Sequence, residues 1–239
     1  NANIHLFKIK HFDLAVIDES SQILEPHLIG LLSAQAGGRD AISRFVLIGD
    51  HKQLPAVVQQ TPEESHVDDD ELRSIGLTDC RLSLFERLLS NFKTDHGYDP
   101  RYVYMLTRQG RMHRDIAEFP NYAFYGNRLE VVPLHHQTLP TETCHSQNGI
   151  EQMLRTRRIA FVATQKPRAA ASVKTNQVEA EMIAATVVQI YNICKDRFDE
   201  SQTVGVIVPY RNQIATIRGA IDRYGIDVLH NITIDTSLL

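Results

Sequence analysis

The sequence is poor in the features that mark special classes of chain. Its three cysteines, Cys80, Cys144 and Cys194, are odd in number and far apart, which argues against a disulfide framework or a paired zinc knuckle. No uninterrupted apolar run approaches the ~20 residues that a bilayer span needs, and the stretch from Asn1 to Lys10 lacks the apolar segment of a signal peptide. The expectation is a soluble, intracellular protein without a membrane partner, cytoplasmic or, in a eukaryote, nuclear. Only 12 Gly and 9 Pro occur among 239 residues, so collagen-like and low-complexity chains are excluded, and no fixed-period repeat suggests a solenoid. An excess of positive charge is missing too. The net charge of −4 argues against binding nucleic acid through the overall field.

What is present is ordinary globular material, with 43% hydrophobic and 23% charged residues in a length that suits about one and a half to two domains. Charge is uneven along the chain. Between Gln53 and Leu72 stand six acids (Glu63, Glu64, Asp68, Asp69, Asp70, Glu71) and no base, which reads as a solvated, irregular loop. Between Gln152 and Val178 stand six bases (Arg155, Arg157, Arg158, Lys166, Arg168, Lys174) and no acid, a candidate for phosphate contact.

Hydrophobic patterning predicts an α/β fold. Phe12 to Ile17 reads as a buried strand closed by Asp18-Glu19, Glu25 to Gln35 as a helix stopped at Gly37-Gly38, and Phe45 to Ile48 as a second buried strand ending at Gly49-Asp50. Strand, helix and strand within about 35 residues form a βαβ unit, which makes the sheet parallel and its active edge the strand C-termini. Ser83 and Glu86 offer a capping box for a helix to about Phe92, and the turn residues from His96 to Pro100 put a domain boundary near 98. Beyond it the pattern predicts a strand at Tyr102 to Leu106, a helix from Met112 to Tyr122, a surface excursion from Pro133 to Ile150 and a strand at Ile159 to Ala163. A long helix capped by Asn176, a strand at Val204 to Val208, a helix from Arg211 to Tyr224 and a last strand near Ile232 to Asp235 complete the alternation.

Asp18 and Glu19 at a strand end, with Gln53 after the next strand, suit chemistry on a phosphate chain: a hard carboxylate for Mg²⁺, a second to polarise water, and an amide to orient it. Paired acids also sit at helix N-termini for dipole reasons alone. The strings Asp13-Leu14-Ala15-Val16-Ile17-Asp18-Glu19-Ser20-Ser21-Gln22 and Phe45-Val46-Leu47-Ile48-Gly49-Asp50-His51-Lys52-Gln53-Leu54-Pro55 resemble motifs II and III of superfamily 1 helicases. Gln109-Gly110-Arg111-Met112-His113, with Phe119-Pro120-Asn121 and Phe124-Tyr125, is similar to a further motif of that family. Val204 to Gln213 resembles the strand and helix start that follow.

The resemblance implies two incomplete RecA-like parallel sheets flanked by helices, over residues 1–98 and 99–239. It implies ATP and Mg²⁺ as cofactors, single-stranded DNA or RNA as partner, and 5′-to-3′ movement. Carried over by residue, Asp18 binds Mg²⁺, Glu19 activates the attacking water, Gln53 senses the γ-phosphate and Arg111 is an arginine finger, with a surface ion pair as the plainer reading of Arg111. Pro209, Tyr210 and Arg211 serve either as strand-to-helix capping or as a nucleic-acid groove, to which Arg155, Arg157 and Arg158 add charge. His135-His136 and Cys144-His145 read as loop residues, not as metal ligands.

Four departures accompany the resemblance. No Gly-x-x-x-x-Gly-Lys-Ser/Thr occurs, Gly110 stands where the family has an adenine-stacking Tyr, Arg114 replaces a Pro, and Ile232 to Thr236 begins motif V without its continuation, motif VI being absent. The expectation is a piece of a helicase motor that lacks ATPase activity by itself. The competing class is a non-catalytic nucleic-acid-binding or interaction module derived from such a motor.

Overall fold

Ala15–Ile17 (β1) and Phe45–Leu47 (β2) pair in parallel, with Ile17 opposite Leu47, in the computed structural model of the chain, which describes residues 9–164 and 174–236. Two units emerge, Asn1–Leu106 and Thr107–Leu239. In the first, the helix between the strands, Glu25–Leu32 (α1), starts at Pro26 in its first turn and buries Leu28, which is the predicted βαβ order. Both strands are shorter than predicted, and neither is buried on both faces. Val16 is 57% exposed and Val46 42%, because a two-stranded sheet with alternating side chains covers only one of its faces here.

The acidic segment is not an irregular loop. Two short helices form there, Pro62–Ser65 and Asp70–Ser74, capped by Thr61 and Asp69, with Glu63, Glu64, Asp70 and Glu71 in first turns where free N–H groups favour negative charge. Nearby, the Arg81 guanidinium bonded to Asp79 holds that carboxyl well below the usual carboxylate range. The predicted capping box is present, with Ser83 and Glu86 bonding reciprocally at the start of Leu84–Asn91 (α2). Helices α1 and α2 are joined by a largely buried ion pair in which Arg87 donates from Nε (2.8 Å) and Nη2 to the Glu25 carboxylate, and from Nη1 to the Ile75 carbonyl (2.8 Å). The predicted strand at Tyr102 to Leu106 does not form. Instead Tyr102 stacks on Phe92 at 4.5 Å between ring centroids, and the Tyr102 and Val103 amides bond back to the Asp99 carbonyl.

The second unit pairs Arg108–Gln109 (β3) with Glu130–Val131 (β4) in parallel, around the helix Arg114–Tyr125 (α3), which ends on the left-handed Gly126. His135–Thr138 (α4) and Gly149–Thr156 (α5) follow, and Ile159 to Ala163, predicted as a strand, is irregular, with Phe161 94% exposed. Gln177–Cys194 (α6), capped by Asn176 as predicted, packs on Arg211–Asp222 (α7) beside the parallel pair Gly205–Ile207 (β5) and Thr233–Asp235 (β6). The principal core lies here: Ala180 and Ala184 of α6 let α7 approach closely, so that Ile217, Ile221, Leu229 and Ile232 are almost fully buried. The buried Gln213 side chain bonds both the Asn176 N–H and carbonyl, tying the starts of α6 and α7 together.

Removing one partner of a buried, bonded ion pair strands the other charge. Arg87→Ala is therefore expected to lower stability by about 3–5 kcal/mol, read as a shift in urea midpoint, and Glu25→Gln, which keeps a hydrogen-bonding partner, by less.

Candidate active site

The parallel register of β1 and β2 brings the turns after Ile17 and Leu47 to one edge of the sheet, so Asp18-Glu19 and Gly49-Asp50 stand side by side. Three hydrogen bonds stitch the turns. The Ser20 N–H and Oγ both donate to the Ile48 carbonyl, at 2.8 and 2.7 Å, and the Asp50 N–H donates to Ser21 Oγ at 3.0 Å. Both serines are buried. Gly49 is required by this contact, because a Cβ there would lie 2.8 Å from the Ser21 backbone nitrogen.

Glu19 holds a left-handed backbone (φ 50°, ψ 33°), a conformation that costs a non-glycine residue about 1–2 kcal/mol. The turn is steadied by its N–H donating to Asp18 Oδ1 at 3.0 Å. Asp18 Oδ2 has no hydrogen-bond partner among the described residues. Gln53 is exposed; its N–H donates to the Asp50 carbonyl and its Nε2 to Asp50 Oδ2 at 3.0 Å, which leaves Oε1 to accept from elsewhere. Asp18 and Glu19 thus occupy one of the two joined turns, and Gln53 is anchored on Asp50 of the other.

No group of three or more His, Cys, Asp or Glu side chains converges among the described residues, so an all-protein metal cage is not built there. A single carboxylate with a free oxygen is what Mg²⁺ uses when substrate phosphates and waters supply its other ligands, and Asp18 fits that mode.

In the second unit Arg111 lies in the turn between β3 and α3, exposed, its guanidinium without a partner among the described residues. The ion-pair alternative therefore has no support among the described residues. His113 is buried and caps α3: its Nδ1 accepts from the Asp115 N–H at 3.1 Å and its Nε2 faces the Leu139 carbonyl at 2.9 Å. The helix entry accordingly survives Arg114 at its first position. Gly110 has no conformational need to be glycine, since a Cβ would meet only Leu134 Cδ1 at 3.6 Å.

Pro209, Tyr210 and Arg211 line one cavity of about 310 Å³ with Lys174, Asn212 and Thr236, at the C-terminal edge of β5 and β6 and the start of α7. The basic run is divided. Arg155 is engaged by Glu142 (2.8 Å) and Glu151 (3.0 Å), Ser146 and Arg155 together holding the Glu151 carboxyl below its usual value. Arg158 donates to the Leu139 and Pro140 carbonyls. Arg157 is exposed, without a partner among the described residues, and Lys166 and Arg168 lie outside those residues. Sequence reasoning missed Ser20 and Ser21 as the stitch, Lys174 as a wall of the cavity and Gln137 beneath the Arg111 turn; the one available signal was the pair of serines directly after two acids.

These features meet an independent comparison. A family model described as an AAA domain matches residues 80–237, and a second of the same description matches residues 2–61. The chain belongs to the AAA-type superfamily 1 helicases. The chain is 34% identical to the DNA replication ATP-dependent helicase/nuclease of Arabidopsis thaliana over 235 residues, 95% of the chain and 15% of that protein. It is 28% identical to the Xenopus laevis protein of the same description over 248 residues, 98% of the chain and 21% of that protein. An uncharacterized ATP-dependent helicase of Methanocaldococcus jannaschii is 33% identical over 130 residues, 54% of the chain and 15% of that protein. The chain therefore spans between about a seventh and a fifth of the length of these relatives. The family is of the P-loop NTPase α/β type, in keeping with the small parallel sheets described above.

The stitched turns give a direct test. Gly49→Ala puts a methyl group against backbone, so the two turns must part; a loss of about 1–3 kcal/mol in stability is expected from equilibrium denaturation.

Proposed function

We propose that the chain carries part of the hydrolytic and strand-gripping machinery of a motor that couples ATP hydrolysis to translocation on, and unwinding of, nucleic acid. The observation that supports this reading is the joining, through Ser20 and Ser21, of the turn that carries Asp18 and Glu19 to the turn of Asp50, on which Gln53 is anchored. In it Asp18 holds Mg²⁺, which when bound neutralises charge on the phosphate oxygens. Glu19 takes the proton of the attacking water and Gln53 Oε1 orients that water, its amide nitrogen being anchored on Asp50. Arg111 supplies a planar, permanently charged fork to the transferred phosphoryl group, a role supported by its guanidinium having no partner among the described residues. Each unit is read as RecA-like.

The relatives named for DNA replication favour single-stranded DNA as the track, and hence an intracellular, in eukaryotes nuclear, location. The strand is gripped at the cavity of Pro209, Tyr210 and Arg211, where the phenol ring offers a stacking face and Lys174 and Arg211 meet phosphates. Arg157, without a partner among the described residues, adds charge, whereas Arg155 and Arg158 contribute structure.

A second reading, a nucleic-acid-binding or interaction module without catalysis, draws on two features. The 239 residues contain no phosphate-cradling loop, and Gly110 lacks an aromatic face without any backbone need to do so.

Turnover separates the two. The isolated chain is expected to release no phosphate above background. In the intact protein containing it, Glu19→Gln is expected to lower Mg²⁺-dependent ATPase by about 10²–10⁴-fold and Arg111→Ala by about 10³–10⁵-fold. Wild-type rates in either variant refute the motor reading. For the strand, Arg211→Ala is expected to weaken single-strand binding and reduce the salt dependence of affinity by about one phosphate contact, measured by fluorescence anisotropy across a salt series.

A further inference from the structure

The turn that presents Arg111 is held by side chains on both of its faces. Gln109 Oε1 accepts from the N–H groups of Arg111 (3.0 Å) and Met112 (2.8 Å), while its Nε2 donates to the Met112 carbonyl (2.9 Å). From α4, the fully buried Gln137 donates through Nε2 to the Gln109 carbonyl (2.9 Å) and to the same Met112 carbonyl (3.0 Å). A ring nitrogen of the neighbouring His136 lies 3.1 Å from the Gly110 carbonyl. Three residues thus fix residues 109 to 112, and the one polar side chain in the turn left without a partner among the described residues is that of Arg111.

A primary amide is an unfavourable way to fill this position. Gln137 is wholly buried, and its Oε1 has no hydrogen-bond partner among the described residues, which costs free energy that a Met or Leu of similar volume would not incur. Packing therefore does not explain the amide. What an apolar residue would forfeit is the double donation to the two carbonyls that bracket Gly110 and Arg111. An arginine acting on a transition state must stand within a fraction of an ångström of its place, and an exposed turn does not hold such a position unaided.

We propose that Gln137 is a positioning residue for Arg111, clamping the turn so that the guanidinium is preset for the transferred phosphoryl group. The proposal rests on the motor reading above. It acts through Arg111 and makes no contact with substrate.

The test is a double-mutant cycle in the intact protein containing this chain, with hydrogen exchange as a second readout. Gln137→Met is expected to lower the ATPase kcat on the order of 10- to 100-fold while leaving the KM for ATP little changed. In an Arg111→Ala background the same substitution is expected to have no further effect. Amides of residues 109 to 113 should exchange faster in Gln137→Met, while those of α6 remain as protected as in the wild type. If Arg111→Ala lowers turnover as expected but Gln137→Met is neutral, or slows the residual turnover of Arg111→Ala by the same factor as that of the wild type, the positioning role is overturned and the motor reading stands. If Arg111→Ala leaves turnover intact, the motor reading falls and the positioning role with it. Unchanged exchange in residues 109 to 113 overturns the clamp whatever the turnover.

Discussion

The contact between Gly49 and the Ser21 backbone is the constraint on which the candidate hydrolytic edge depends. Parallel pairing of two three-residue strands brings the turns after Ile17 and Leu47 to the same edge but fixes neither conformation. Ser20 and Ser21 do so, by closing three hydrogen bonds onto Ile48 and Asp50. The fit is close enough to exclude a Cβ at residue 49, and it holds Glu19 in a left-handed conformation that the residue would not adopt freely. A strained turn carrying a carboxylate is tolerated when its surroundings over-determine it, and here the strain sits on the residue that the motor reading makes the base.

The second unit reaches a comparable rigidity by other means. Its alanine-lined helix contact builds the principal core, from which β5, β6 and the start of α7 present Pro209, Tyr210 and Arg211 to one cavity. The Arg111 turn belongs to the smaller β3 and β4 pair, which adds no residue to that core, and glutamine side chains hold it in place of apolar packing. Hydrogen bonds are directional, so they fix a backbone turn more tightly than nonpolar contacts of the same number.

Charge is used sparingly and locally. The acids between Glu63 and Glu71 fill first turns of short helices, and Arg87, Arg155 and Arg158 are spent within the fold on carboxylates and carbonyls. A chain of net negative charge can meet a polyanion only where cations gather, as Arg211 and Lys174 do in the lining of one cavity.

Local rules were enough to find much of this in the sequence: the βαβ order, the Ser83 and Asn176 caps, the long helix, and the strand ends that carry Asp18, Glu19 and Gln53, because caps and hydrophobic periodicity involve residues a few positions apart. The four motifs likewise named the family, which matching models of residues 2–61 and 80–237 bear out. Other features depended on partners distant in the chain. The strand expected at Tyr102 to Leu106 was lost to the stacking of Tyr102 on Phe92, and Arg155, which looked available for phosphate, was taken by Glu142 and Glu151. Gln137, in a stretch that read as a surface excursion, proved wholly buried because Gln109 and Met112, 28 and 25 residues earlier, offer it two carbonyls. Periodicity and capping report a residue's near neighbours, whereas the fate of a buried amide or a charged side chain is settled by whichever groups the tertiary fold brings against it.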